Sequence, residues 1–279
     1  MNDVPEVSNE QLEIQLLLEA IYKKYGYDFR EYSVAHTRRR LEYRRAIEGM
    51  RNYSEMQHKV IYDSKFFEQL LLDLSINVTE MFRDPWFYQK VRDIVIPHLK
   101  TYPFVRIWHA GCSAGQEVYS NAILLQEEAM KDRTQIYATD FNESILEKAK
   151  KGIYPMDLVR QYTNNYQAAG GTASFSDYYM ADYDNAIMNR NLREKMLFSP
   201  HNLATDGVFG EMQVIFCRNV LIYFNRELQD RVFQLFYESL CPGGFLCLGS
   251  KESLRFSSVA HKFELVAERE KIYRKKRER

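Results

Sequence analysis

The chain has 279 residues, 46% of them hydrophobic, and its 38 Lys and Arg are matched by 38 Asp and Glu. That length supports one large domain or a smaller one joined to it, and the even charge balance gives no general reason to expect a nucleic acid or an anionic membrane as partner. No apolar run approaches the roughly 18 residues of a membrane span, and the acidic, polar opening MNDVPEVSNEQ lacks the basic and apolar regions of a signal peptide. A cytoplasmic protein without membrane insertion is expected. Cys112, Cys217, Cys241 and Cys247 show no CxxC spacing and no clustered His, which suggests buried thiols rather than a metal site or a disulfide framework.

In chain order, Ser8 with Gln11 makes a capping-box start for a helix over 8–24. Its Leu12, Ile14, Leu16, Leu17, Ala20 and Ile21 recur at helical spacing, and Gly26 follows. The stretch 31–50 keeps an apolar stripe of Val34, Leu41 and Ile47 while setting Arg38, Arg39, Arg40, Arg44 and Arg45 close together. Either a solvated helix face or a docking face for an acidic partner accounts for them. Helical patterns over 54–62 and 64–74 complete an all-helical domain of residues 1–75.

Residues 76–279 read as an α/β domain. The opening stretch INVTEMFRDP places Asp84 as N-cap and Pro85 at the first position of a helix to about Lys100. Asn77, Thr79 and Arg83 bring an amide, a hydroxyl and a guanidinium together; they suit a carboxylate at a ligand crevice or a capping network. VRIWHAGCSAGQE, over 105–117, is a buried strand that turns through Gly111 and Gly115 into a helix ending near Met130. The carboxyl end of such a strand is where open α/β sheets bind nucleotides, although a plain strand-to-helix turn also fits, because the full dinucleotide fingerprint is missing. A second strand, 135–140, ends on Asp140, where an acid accepts both ribose hydroxyls of a nucleoside; its spacing from the first glycine counts against nicotinamide.

A helix follows over 142–151. Residues 154–183 show no helical period, and short strands over 175–179, 186–188 and 196–199 suggest a small β insertion at about 172–200. Its edge either accepts a peptide strand or acts as a structural flap. The apolar strand 213–217 runs into Arg218 and Asn219, polar residues that make sense where a strand end opens on a pocket. Asn225 caps a helix to Leu240, Pro242-Gly243-Gly244 turns the chain into a strand over 245–249, and 263–267 with 271–273 form a closing antiparallel pair.

Six motifs in this order, NVTEMFRDP (77–85), AGCSAGQEVYS (110–120), ATD (138–140), HNL (201–203), IFCRNVLIYF (215–224) and PGGFLCLGSKE (242–252), carry a resemblance. The chain resembles the CheR chemotaxis methyltransferases, which transfer a methyl group from S-adenosylmethionine to receptor glutamates. The resemblance implies a doubly wound, mostly parallel Rossmann-like methyltransferase sheet with an N-terminal helical domain and a small β insertion. It implies a protein-glutamate O-methyltransferase with S-adenosylmethionine as cofactor and S-adenosylhomocysteine as product; separately, the residues offer no metal-ligand set, and a monomer is expected. By the same resemblance Asn77, Thr79 and Arg83 contact the methionine end of the cofactor, while Glu117 and Asp140 hold its amino-acid and ribose groups. Asn202 and Leu203 frame the adenine, Arg218 and Asn219 close the pocket, and Tyr223 lies near the transferred methyl, which makes Tyr223 and Arg218 the catalytic pair. The acidic helical methylation region of a receptor would dock on Arg38, Arg39, Arg40, Arg44 and Arg45.

Two departures from the family pattern stand out. STGEEPYS is here SAGQEVYS, with Gln116 and Val118 new but Glu117 and Tyr119 kept, and GHSE is here Gly249-Ser250-Lys251-Glu252. Two other readings remain open. One is a methyltransferase of this fold acting on another acceptor, with nucleic acid disfavoured by the charge balance and the lack of an Asn-Pro-Pro-aromatic motif. The other is a module that senses S-adenosylmethionine without turnover.

Overall fold

A computed structural model describes residues 7–75 and 79–277. They group into two compact units: the first 76 residues together with Tyr223–Gln229, and the remainder of the chain.

The described residues of the first unit form α1 (Asn9–Tyr25), α2 (Val34–Ile47), α3 (Tyr53–Tyr62) and α4 (Ser64–Leu74). The capping box forms, with the Ser8 hydroxyl accepting the Gln11 N–H and the Gln11 side chain accepting the Ser8 N–H. Gly26 closes α1 in the left-handed conformation. α4 buries Phe66, Phe67, Leu70, Leu71 and Leu74, and the Tyr25 ring stacks on Phe67. The expected apolar stripe of α2 does not pack as one: Leu41 is buried, but Val34 and Ile47 are 74% and 56% exposed. At about 100° per residue, Ile47 points roughly 120° away from Leu41, and Val34 sits in the first turn. Tyr223–Gln229 joins this unit through backbone bonds, Ser33 N–H to the Tyr223 carbonyl (2.7 Å) and Asn225 N–H to the Glu31 carbonyl (2.9 Å).

The second unit opens with α5 (Pro85–Lys90), a π-helical turn over Val91–Val95, and α6 (Ile96–Leu99). The uniform helix expected here is interrupted because Pro97 has no N–H to offer, and Ile96 instead reaches back five residues to Val91. Then follow β1 (Val105–Ala110), α7 (Gln116–Glu127), β2 (Thr134–Asp140), α8 (Glu143–Lys151), β3 (Ile153–Pro155), α9 (Val159–Ala168), β4 (Tyr179–Asp182), β5 (Asn185–Met188), α10 (Arg190–Arg193), β6 (Met196–Pro200), β7 (Met212–Cys217), α11 (Arg226–Ser239, whose first residues belong to the helical unit), β8 (Leu240–Leu248), β9 (Phe263–Ala267) and β10 (Ile272–Lys275).

The main sheet runs β6-β2-β1-β7-β8-β10-β9, parallel from β6 to β8 and antiparallel in the last two. β1 and β7 are nearly continuous apolar runs because both faces of a parallel sheet are covered. The chain leaves the β1–β2–β6 half and returns on the other side of β1 as β7, so the topological switch lies between β1 and β7. All four cysteines are free and buried.

Several local expectations are corrected. Phe175–Tyr178 is a 3-10 turn, and the strand begins only at Tyr179. Residues 154–183 contain a helix, α9, whose buried face is Val159, Tyr162 and Tyr166. Met196–Pro200 lies in the main sheet beside β2 and not in an insertion. The small sheet is instead β3-β5-β4, with β3 supplied from before α9. Pro242-Gly243-Gly244 does not end in a turn before the strand. β8 starts at Leu240 and runs through it with a shift in register against β7, which the left-handed Gly243 absorbs.

Candidate active site

In the second unit β2, β1 and β7 are adjacent parallel strands, so their carboxyl ends lie together, and the switch between β1 and β7 is where an open α/β sheet forms its ligand crevice. The turn from β1 is pinned to β2: the Gly111 and Cys112 N–H groups both donate to the Thr139 carbonyl, and the Ser113 N–H donates to Asp140 Oδ2 at 2.9 Å. Gly111 is required, since its φ is +75° and a Cβ there would meet Val220 at 2.6 Å. Asp140 Oδ1 accepts the Asn142 N–H at 3.0 Å. Burial pushes the Asp140 carboxyl above the ordinary range, against the pull of the Asn142, Ser113 and Phe141 N–H groups. The HNL segment is tied to the same point, with the His201 N–H donating to the Asp140 carbonyl. Leu203 is buried, while Asn202 is half-buried and its Oδ1 accepts the Ala204 N–H.

Arg218 follows β7, with its side chain 1% exposed. Nη1 donates to Glu117 Oε2 at 3.0 Å, and Nη2 donates to Asp84 Oδ2 at 2.8 Å and to the Arg83 carbonyl at 3.2 Å. The guanidinium lies over the Phe87 ring at 4.0 Å. The other oxygen of Glu117 faces His109 Nδ1 at 3.0 Å. Burial would raise the Glu117 carboxyl, but the His109 hydrogen bond and the Arg218 charge outweigh it and hold the group below its ordinary value. Withdrawing such ions from water costs several kcal/mol each, so a buried set of this kind is weak as a source of stability. It is well suited to presenting fixed charge to a ligand.

Asp84 departs from its expected role as a capping side chain. It stands at the N-cap of α5 with Pro85 after it, but it makes no capping hydrogen bond, and its carboxylate serves Arg218. Four non-glycine residues around the crevice adopt left-handed backbone: Phe82 (φ 52°), Asp84 (58°), Ser113 (51°) and Asn219 (62°). Such conformations cost about 1–3 kcal/mol each and persist where the surroundings dictate them, which is typical of ligand sites. Glu252 supplies one such constraint, as its carboxylate accepts the N–H groups of Asn219, Val220, Leu221 and Gly249. Asn219 Oδ1 is buried without a partner.

Of the remaining predicted residues, Asn77 lies outside the described residues and Thr79 is half-buried. Tyr223 groups with the helical unit, where its ring meets His36 edge-on at 5.2 Å. Three of the five arginines of α2 are engaged within their own unit: Arg38 with Glu10, Arg44 with Asp73 and Glu48, and Arg45 with Glu42. Arg39 approaches His36 Nδ1 at 3.4 Å. Among the described residues neither Arg39 nor Arg40 forms a carboxylate ion pair. Gln116 and Val118 are buried in the first turn of α7, whereas Ser250 and Lys251 are exposed.

His109, the carboxylate of Asp84 and Glu252 belong to the site without standing out in the sequence. A polar residue one position before the end of an apolar strand was the available signal for His109; Glu252 was visible only as the last letter of a motif. The crevice offers mainly acceptors, namely Asp140, Glu117 and the open Oδ1 of Asn219. That set fits a ligand with hydroxyl and ammonium donors, such as a nucleoside bearing an amino-acid tail. Among the described residues, no group of three His, Cys, Asp or Glu is placed to hold a metal ion.

Comparison with known proteins gives a consistent result. The family model described as the CheR methyltransferase SAM binding domain matches residues 77–272, and that of the CheR methyltransferase all-alpha domain matches residues 12–75. Cher3 of Pseudomonas putida is 52% identical over 267 residues, covering 96% of this chain and 98% of its own length. A chemotaxis protein methyltransferase of Vibrio parahaemolyticus is 31% identical over 207 residues (69% of this chain, 70% of that one), and chemotaxis protein methyltransferase 2 of Vibrio cholerae is 34% identical over 200 residues (67% and 66%).

Proposed function

Starting from the CheR methyltransferase family, to which this chain belongs, we propose that the protein methylates glutamate side-chain carboxylates of a chemotaxis-type receptor. The chain is an S-adenosylmethionine-dependent methyltransferase, and the cofactor supplies an electrophilic sulfonium methyl. A glutamate acceptor, with an unperturbed pKa of about 4.3, is already ionised at neutral pH. It therefore needs no general base, and the protein's contribution is alignment and exclusion of water.

The observation that carries this reading is Arg218, seated between Glu117 and Asp84 at the carboxyl end of β7 with Asp140 at the end of β2. In the proposal, Glu117 and Asn219 face the ammonium end of the cofactor, Asp140 takes the ribose hydroxyls, and Asn202 and Leu203 flank the adenine. Thr79 and Arg83 border the methionine end, and Arg218 shapes the methyl end. The acidic helical methylation region of the receptor docks on α2. Arg39 and Arg40 take the leading part, because Arg38, Arg44 and Arg45 already have carboxylate partners. No helix among the described residues is long and apolar enough to cross a membrane; the proposed enzyme works as a cytoplasmic monomer.

Incubation with methyl-labelled S-adenosylmethionine and receptor-containing membranes tests the proposal. Label released by mild alkali marks a glutamyl ester and supports it. Alkali-stable label points to a nitrogen acceptor, and binding of the cofactor with no label on any acceptor points to a sensing module.

A further inference from the structure

We propose that His109 is a positioning residue for the methyl donor, fixing the Glu117 carboxylate that faces the donor's ammonium end. The inference rests on the donor-site reading above and assigns a role to a residue outside every predicted site. β1 is otherwise apolar at its core positions, yet His109 is 1% exposed. Its ring lies flat on Phe216 of β7, with centroids 4.8 Å apart and planes within 8°. That stack fixes the ring plane and aims Nδ1 at Glu117 Oε1, 3.0 Å away. Because a carboxylate only accepts, Nδ1 carries the hydrogen, and Nε2 is left buried with no partner. A histidine kept in a core with one nitrogen unsatisfied is poor packing material, so its value lies in the nitrogen that is used.

The geometry explains what that nitrogen does. Arg218 Nη1 holds one oxygen of Glu117 and His109 holds the other. With a charge-assisted bond on each oxygen the carboxylate plane cannot turn, and each oxygen keeps a lone pair for an incoming cation. Without His109, Arg218 alone would hold the group from one side. The loss should fall on donor binding and not on the chemical step, since the sulfonium and the acceptor carboxylate lie beyond Glu117's reach in this reading.

The test compares His109→Phe, which keeps a ring against Phe216 but has no N–H, with His109→Asn, whose amide can return a donor near the Nδ1 position. Titration calorimetry would use S-adenosylmethionine, S-adenosylhomocysteine and 5′-methylthioadenosine, the last lacking the amino-acid end. We expect His109→Phe to weaken the first two about tenfold, with kcat at saturating donor within about twofold of wild type. His109→Asn should recover most of the affinity, and methylthioadenosine should bind all three proteins alike. Unchanged affinity in His109→Phe, parallel loss of methylthioadenosine, or no recovery in His109→Asn would each overturn the assignment in favour of a packing role. If His109→Phe does not fold, His109→Leu takes its place in the comparison. A wild-type protein that binds neither the donor nor its demethylated product would sink the donor site itself, a result readily told apart from the others.

Discussion

Glu252 accepts the backbone N–H of Asn219 at 2.9 Å, so the loop after β7 is held by a side chain from the loop after β8. The same carboxylate takes the N–H groups of Val220, Leu221 and Gly249. Each buried donor left without an acceptor costs about 1–3 kcal/mol. Glu252→Ala should therefore lose at least about 3 kcal/mol in urea denaturation, and donor affinity should fall more than tenfold as Asn219 leaves its left-handed conformation. Stability within about 0.5 kcal/mol of wild type would show the cradle to be dispensable.

Arg218 serves Glu117, Asp84 and the Arg83 carbonyl from one planar fork. An ammonium cannot reproduce that fork. Arg218→Lys should keep the charge but lose donor binding at least tenfold by calorimetry. Arg218→Met should also destabilise the protein by about 3–5 kcal/mol, because it strands two carboxylates.

The Glu117 carboxyl is held below its ordinary range chiefly against burial, by His109 and Arg218. A depressed folded-state value contributes stability above the unfolded pKa of about 4.3 and loses it as pH falls through the folded value. The stability gap between wild type and Glu117→Gln should thus be full at pH 7, begin to shrink below the unfolded pKa of about 4.3 and close only as pH falls through the lower folded value. Urea denaturation of both proteins across that range checks the sign; a gap that widens in acid would contradict it.

On α2, Arg44 pairs with Asp73 at 2.5 Å with both side chains largely buried, whereas Arg39 is exposed. Arg44→Ala should cost the fold about 1–3 kcal/mol. Arg39→Ala should leave the melting temperature unchanged but raise the acceptor KM several-fold, an effect that shrinks in high salt. Loss of donor affinity in Arg39→Ala would assign the arginine a different role.

What the sequence revealed followed its local periodicities. β1 and β7 read as apolar runs, Gly111 as a turn, and Ser8 and the 142–151 limits as helix boundaries, because each is decided within a few residues. α9 is not legible in the sequence because its buried face, Val159, Tyr162 and Tyr166, is set among Thr, Asn and Gln, residues without an obvious apolar rhythm. Met196–Pro200 was legible as a strand, but nothing local states which sheet it joins. The site's charge network was the least legible. Arg218 and Asp84 are 134 residues apart, and only the folded chain shows that Asp84 serves a guanidinium in place of a helix end.

Tyr223–Gln229 belongs with the first 76 residues, bonded through Ser33 and Glu31. A chimera spliced at the apparent border near residue 76 would therefore bring in a foreign set of helices against a native strip of chain. Any graft meant to retarget the enzyme has to carry both stretches from the same parent.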